Sequence, residues 1–169
     1  MRRVLARVAV LTMVAMSMAA APVAGATPIM VTADIDGVAI AVSQIPEHFC
    51  HDRAYPVIHC FATTRGLAAA LKDLDGARAA LAAAATDYVI VYSSTSYAGS
   101  YLYISQDYDT MATVGWNDRI RSYRGLNSAL GRFWTDWFHS GTALDFCCNS
   151  NAPSLSATFD QTITSVYRR

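Results

Sequence analysis

The sequence predicts a mainly β protein, two intertwined Greek keys in a sandwich (87–169) behind a small α+β segment (27–86). Three observations carry this. A pattern of aromatic, glycine and polar residues is written twice, at about 88–130 and 131–169, with Tyr92, Tyr97 and Gly99 falling on Trp134, His139 and Gly141, each 42 residues apart. Around those positions apolar residues alternate with period two, as Leu102 with Ile104 and Leu144 with Phe146, which suits half-buried strands. A helical pattern appears after the leader only over 63–86. Two copies of a unit this long are too few for a solenoid or propeller, and two copies of an all-β unit suit paired Greek keys.

Residues 1–26 read as an export leader. Arg2, Arg3 and Arg7 form a basic start, Val8–Ala21 is apolar, and Ala24-Gly25-Ala26 is a small-residue cleavage site, so the mature chain is expected to begin at Thr27. A membrane anchor is the rival reading, but the apolar run is short and Pro22 follows it. Removal takes three arginines and no acid, so 13 basic residues fall to 10 against 13 acidic ones, net −3, and 143 of the 169 residues remain. That balance argues against nucleic acid as a partner, and the length suits one domain. A secreted monomer without a membrane span is expected.

Ile29–Ile35 and Val38–Val42 read as strands around the hairpin signal Asp36-Gly37. Pro46 and Pro56 bracket EHFCHDRAY, read as a loop, and Val57–Phe61 is a further strand. His48, Cys50, His51, His59 and Cys60 crowd this segment. Zinc could use such residues, but the spacings match no C-x-x-C or H-x-x-x-H pair, and an exported chain permits a Cys50–Cys60 disulfide. The histidines are then expected at the surface or packed in loops. Leu67, Leu71, Leu74 and Leu81 form a helical stripe, capped by Thr63 or Thr64 and expected to break at Asp75-Gly76. Cys147 and Cys148 end a strand, where neighbours face opposite sides, so one is expected inward and one outward. Their pairing is open, including bonds to Cys50 and Cys60.

Each repeat closes on a polar segment: Asn117-Asp118-Arg119-Ile120-Arg121-Ser122 and Asp160-Gln161-Thr162-Ile163-Thr164-Ser165. With Tyr92-x-x-x-x-Tyr97-x-Gly99 and its counterpart, these resemble the βγ-crystallin motif, in which the closure is a doublet of Asn/Asp, two residues, then Ser/Thr-Ser. The first closure departs at Arg121 and the second at Gln161. Among secreted proteins, the arrangement resembles the actinobacterial metalloprotease (peptidase) inhibitor-like family.

The resemblance implies a βγ-crystallin-like sandwich and a binding role, with an extracellular protease as partner. It also implies where calcium would sit: Asp118, the Thr164 hydroxyl and the Thr162 carbonyl, with Asn117 nearby. These are hard oxygen donors. The second site would pair Gln161 with Arg121, whose guanidinium repels a cation and fills its place, or bridges to a neighbouring acid as a substitute. At most one calcium site is therefore expected. The other reading is that both closures are Greek-key turns without an ion.

No catalytic residues are expected. The chain lacks G-x-S-x-G, H-E-x-x-H, Walker and G-x-G-x-x-G motifs, and its single glutamate leaves no Glu–Glu glycosidase pair. Cys50 with His51 or His59 makes a nucleophile–base pair on paper, which the expected disulfide removes. The function expected is peptidase inhibitor-like binding; the alternatives are a calcium-stabilised structural or envelope-associated module and a crystallin-type exported toxin or antimicrobial.

Overall fold

The computed structural model describes residues 29–80 and 87–168. The leader, its cleavage point before Thr27, and Leu81 of the helical stripe lie outside them. The chain runs β1 (Thr32–Ile35), β2 (Val38–Ile40), a 3-10 turn Val42–Glu47, β3 (Phe49–Ala54), β4 (Val57–Phe61), α1 (Thr64–Ala80), β5 (Tyr88–Tyr92), β6 (Tyr101–Ile104), β7 (Ser122–Leu126), β8 (Gly131–Asp136), β9 (Ser140–Phe146), β10 (Asn151–Ala152) and β11 (Ser165–Arg168). An eight-stranded sheet has the order β10-β7-β5-β6-β3-β4-β1-β2, and a three-stranded sheet the order β11-β8-β9.

The two repeats are the two Greek keys, and they are intertwined as the sequence predicts. The first key forms β5, β6 and β7, and its remaining piece at Tyr108 crosses to bridge Val166 on β11. The second key forms β8, β9 and β11 and lends β10 to β7, pairing Asn151 with Arg124 and Ala152 with Tyr123. Each key thus completes the other's sheet. Between the sheets lie Val89, Val91, Leu102 and Ile104 from one side and Phe133, Phe146 and Val166 from the other, all buried, with Ile120 and Ile163 from the closures and Trp116 just before the first. Alternation along β5, β6 and β8 produces this directly.

The leading segment continues the first sheet. β3 runs parallel to β6, with Phe49, Cys50 and His51 opposite Tyr101, Leu102 and Tyr103. On its other side β3 pairs antiparallel with β4. The expected loop between Pro46 and Pro56 is therefore a strand over Phe49–Ala54, a correction with a plain cause. Its polar residues read as loop, but β3 is a central strand whose backbone is paired on both edges, which outweighs local composition. Asp36 and Gly37 make the expected hairpin, with φ of 48° and 84°.

Cys50 and Cys60 face each other across β3 and β4 and are joined in a disulfide, S–S 2.08 Å, as expected. Alternation turns both sulfurs into the core and His51 and His59 to the opposite face, where α1 packs. His51 is consequently buried in a strand rather than at the surface or in a loop. Thr63 caps α1 by accepting from the Gly66 amide at 3.1 Å. The helix does not break at Asp75-Gly76: it runs on to Ala80. A mid-helix glycine costs about 1 kcal/mol, and Leu67 and Leu71, buried on the same helix, supply more than that.

A buried carboxylate locks the segment to the keys. Asp52 on β3 accepts from the Ser105 amide at 2.7 and 2.9 Å, from Ser105 Oγ at 2.6 Å and from Tyr108 Oη at 2.9 Å. Burial pushes its carboxyl above the ordinary range, while these hydrogen bonds and the Arg168 charge pull it back.

Candidate functional site

The closures are held by the same device in both keys. Ser122 Oγ donates to the Ser94 carbonyl at 2.7 Å and accepts from the Tyr97 amide at 3.2 Å. Ser165 Oγ donates to the Asp136 carbonyl at 2.6 Å and accepts from the His139 amide at 3.1 Å. Each final serine thus pins the fold-over hairpin of its own key. Gly99 and Gly141 sit at φ of 77° and 78°, where a Cβ would strike Ser93 in the first key and Thr135 and Asp136 in the second. Tyr97 covers its hairpin against Tyr92, ring centroids 5.6 Å apart. His139 takes the equivalent place, its ring against Tyr167 at 5.6 Å and Nε2 3.1 Å from the Val166 carbonyl.

With the hairpins pinned, the closures meet across the interface between keys. The Asp118 amide donates to the Ile163 carbonyl at 3.2 Å, and the Gln161 amide donates to the Ile120 carbonyl at 3.0 Å, a near-symmetric pair. This brings the four candidate ligands together. Thr164 Oγ1 lies 3.3 Å from Asp118 Oδ1 and 3.4 Å from the Thr162 carbonyl. Asn117 Nδ2 donates to Asp118 Oδ2 at 2.6 Å, leaving Asn117 Oδ1 buried without a hydrogen-bond partner. Asp118 holds φ of 56°, a left-handed conformation aspartate tolerates better than most residues. One carboxylate, one hydroxyl, one carbonyl and one orphaned amide oxygen are hard donors of the type calcium takes, four of the roughly six to eight oxygens such an ion uses.

The symmetry-related position is filled differently. Arg121 Nε donates to Asp160 Oδ1 and its terminal nitrogen to Asp160 Oδ2, both at 3.0 Å. This bidentate pair draws on Asp160 as the counterpart of Asn117, with the guanidinium standing where Thr164 stands in the other closure. A fixed positive group there excludes a divalent cation.

Beside Thr164 the β8–β9 hairpin opens a surface cavity of about 500 Å³, walled by Thr135, Asp136, Trp137, Phe138 and Ser140. Trp137 is 57% and Phe138 71% exposed. Phe138 sits at φ of 54° and its amide donates to the Asp109 carbonyl at 2.8 Å, so the backbone holds these rings outward. The sequence carried a signal for this pair: it lies between the two hairpin aromatics Trp134 and His139, outside the alternating positions.

Cys147 and Cys148 are both exposed and unpaired, so neither faces inward as expected. β9 ends at Phe146, and Cys148 and Asn149, at φ of 57° and 67°, turn the chain out under a Ser150 amide to Cys147 carbonyl bond of 2.7 Å. A side-chain hydrogen bond with Cys148 pushes the Cys147 thiol up. Among the described residues no helix is long and apolar enough to cross a membrane.

Two keys exchanging strands, each with an aromatic–glycine fold-over and a polar closure, define a βγ-crystallin-like double Greek-key sandwich. Its solved structural neighbours are βγ-crystallin domains. The chain is similar to a βγ-crystallin from an archaeon (22% identity, covering 50% of this chain and 100% of that one, TM-score 0.45). It is similar to a βγ-crystallin from Ciona intestinalis (18% identity, 48% and 99% covered, TM-score 0.45). A βγ-crystallin domain from Flavobacterium johnsoniae is a third (22% identity, 48% and 92% covered, TM-score 0.42). No family model matches the chain, and no curated protein does.

Proposed function

We propose that the protein is an exported, non-catalytic binding module whose double Greek key takes one calcium ion between its closures. The observation that supports this reading is the asymmetry of the two closure pairs. One gathers Asp118, Thr164 and the Thr162 carbonyl beside an orphaned Asn117 oxygen, and the other is filled by Arg121 on Asp160. The ion would tie the first key's closure to the second's, so its role is to stabilise the sandwich. The leader and the Cys50–Cys60 disulfide support export. Thermal unfolding with and without calcium tests the reading. A ligand at a hundred times its Kd stabilises by about 2.7 kcal/mol, so the midpoint should rise with calcium in the unaltered chain and stay fixed in Asp118→Ala. An unchanged midpoint in both would refute it.

A second reading, inhibition of an extracellular peptidase, is favoured by the exposed Trp137–Phe138 hairpin and by the sequence resemblance. Large aromatic side chains on a backbone-fixed loop are the usual energetic anchors of protein interfaces. A panel of secreted metallopeptidases, assayed with the intact chain and with Trp137→Ala, tests it. Inhibition that weakens at least tenfold in the variant supports the reading, and absence of inhibition across the panel rejects it.

A further inference from the structure

We propose that the cavity between α1 and the outer face of β3 and β4 binds a small neutral molecule carrying an apolar body and one hydroxyl group, such as a phenol. This site lies apart from the closures and does not depend on the calcium reading. The cavity measures about 430 Å³, within the size range of small-molecule sites. Ala54, Phe61, Ala70 and Leu74 form its apolar walls, and the imidazoles of His51 and His59 with Asp73 supply the polar part. The rings lie 5.5 Å apart, centroid to centroid, because the two residues are direct cross-strand partners.

Hydrogen bonding assigns the two rings opposite roles. His51 Nδ1 accepts from the Arg53 amide at 3.3 Å, so the neutral ring carries its proton on Nε2. His59 Nδ1 lies 2.8 Å from Asp34 Oδ2 and donates to it, so the neutral ring keeps a lone pair on Nε2. Neither Nε2 meets a hydrogen-bond partner among the described residues. His51 as a whole residue is only 2% exposed. Burial above all lowers the His51 pKa to about 4 and keeps the ring neutral at physiological pH.

The pair therefore offers one donor and one acceptor side by side, and a hydroxyl answers both by accepting from His51 and donating to His59. An ether answers only the first. An anion is disfavoured because Asp73 lines the cavity and Asp34 stands behind His59. Neutral, apolar and hydroxylated is the class that remains.

Titration of the full, disulfide-intact chain with phenol, anisole and benzoate, read by calorimetry and by the imidazole nitrogen resonances, tests the proposal. Phenol should saturate with a millimolar Kd, as expected for so small a ligand, and shift the His51 and His59 signals. Anisole should bind at least tenfold more weakly, since it leaves the His59 acceptor unpaired, and benzoate more weakly still. Ala70→Trp, which fills the cavity from the helix side, should abolish phenol binding with both imidazoles intact. Absence of saturable phenol binding, equal affinity for anisole, or phenol binding that survives Ala70→Trp would overturn it. The phenol–anisole comparison on the unaltered chain decides the matter even if that variant does not fold.

Discussion

Replacing Asp52 by alanine is expected to cost the protein more than any other single polar change in the leading segment. The carboxylate is fully buried and accepts from two donors of Ser105 and from Tyr108, with Arg168 as the facing charge. Alanine leaves the Ser105 amide, the Ser105 hydroxyl and the Tyr108 hydroxyl without an acceptor. An unsatisfied buried donor costs about 1–3 kcal/mol. Because neighbouring losses overlap, about 4 kcal/mol is the expected total. The assay is urea unfolding of the oxidised chain, with the midpoint falling and the slope unchanged. Ser105→Ala, which removes one donor and keeps the carboxyl group, should cost only about 1 kcal/mol. An Asp52→Ala loss below about 1 kcal/mol would show that the contact does not bind the segment to the keys, refuting the reasoning.

Three further outcomes follow from the same geometry. Cys50→Ser with Cys60→Ser should lower stability by about 3 kcal/mol, the loop-closure estimate for a bridge of this span; a change within 0.5 kcal/mol, the usual scale of surface substitutions, would argue that β3 and β4 are held without it. His51 should make stability fall in acid. Its folded pKa of about 4 lies below the unfolded 6.5, so its contribution is complete above 6.5 and lost as pH falls through about 4, about 3 kcal/mol in all. Asp52, whose carboxyl is raised, acts with the opposite sign, so the quantity to measure is the difference between the unaltered chain and His51→Phe across that window. A flat difference would contradict the burial argument. Arg121→Ser should release Asp160 and restore a hydroxyl facing Gln161, raising calcium stoichiometry by one; an unchanged stoichiometry would mean that the guanidinium is not what bars that position.

How much of this was legible in the sequence depends on whether local pattern or tertiary pairing decided the structure. The Greek keys were legible because the fold-over needs an aromatic five residues before another and a glycine two beyond it, and Tyr92-Tyr97-Gly99 and Trp134-His139-Gly141 both satisfy that. The juxtaposition of Asp118 with Thr164 was legible only through the resemblance to the βγ-crystallin motif, which implies a site drawing on both closures. The acid that receives Arg121 was anticipated only as a kind of partner, and the geometry identifies it as Asp160. β3 was not legible: Cys-His-Asp-Arg is poor strand sequence, and its conformation comes from β4 and β6 on either side. Missing that strand hid the cavity, because only alternation along β3 separates His51 from Cys50. The uninterrupted α1 was missed for a similar reason, as Gly76 weighs less than the packing of Leu67 and Leu71.

The most direct test of the central claim, one calcium ion held between two unequal closures, is calorimetric titration of the full chain with calcium. The account predicts a stoichiometry near one, abolished by Asp118→Ala and retained in Gln161→Ala. No binding, two equivalent sites, or one site indifferent to Asp118 would contradict it.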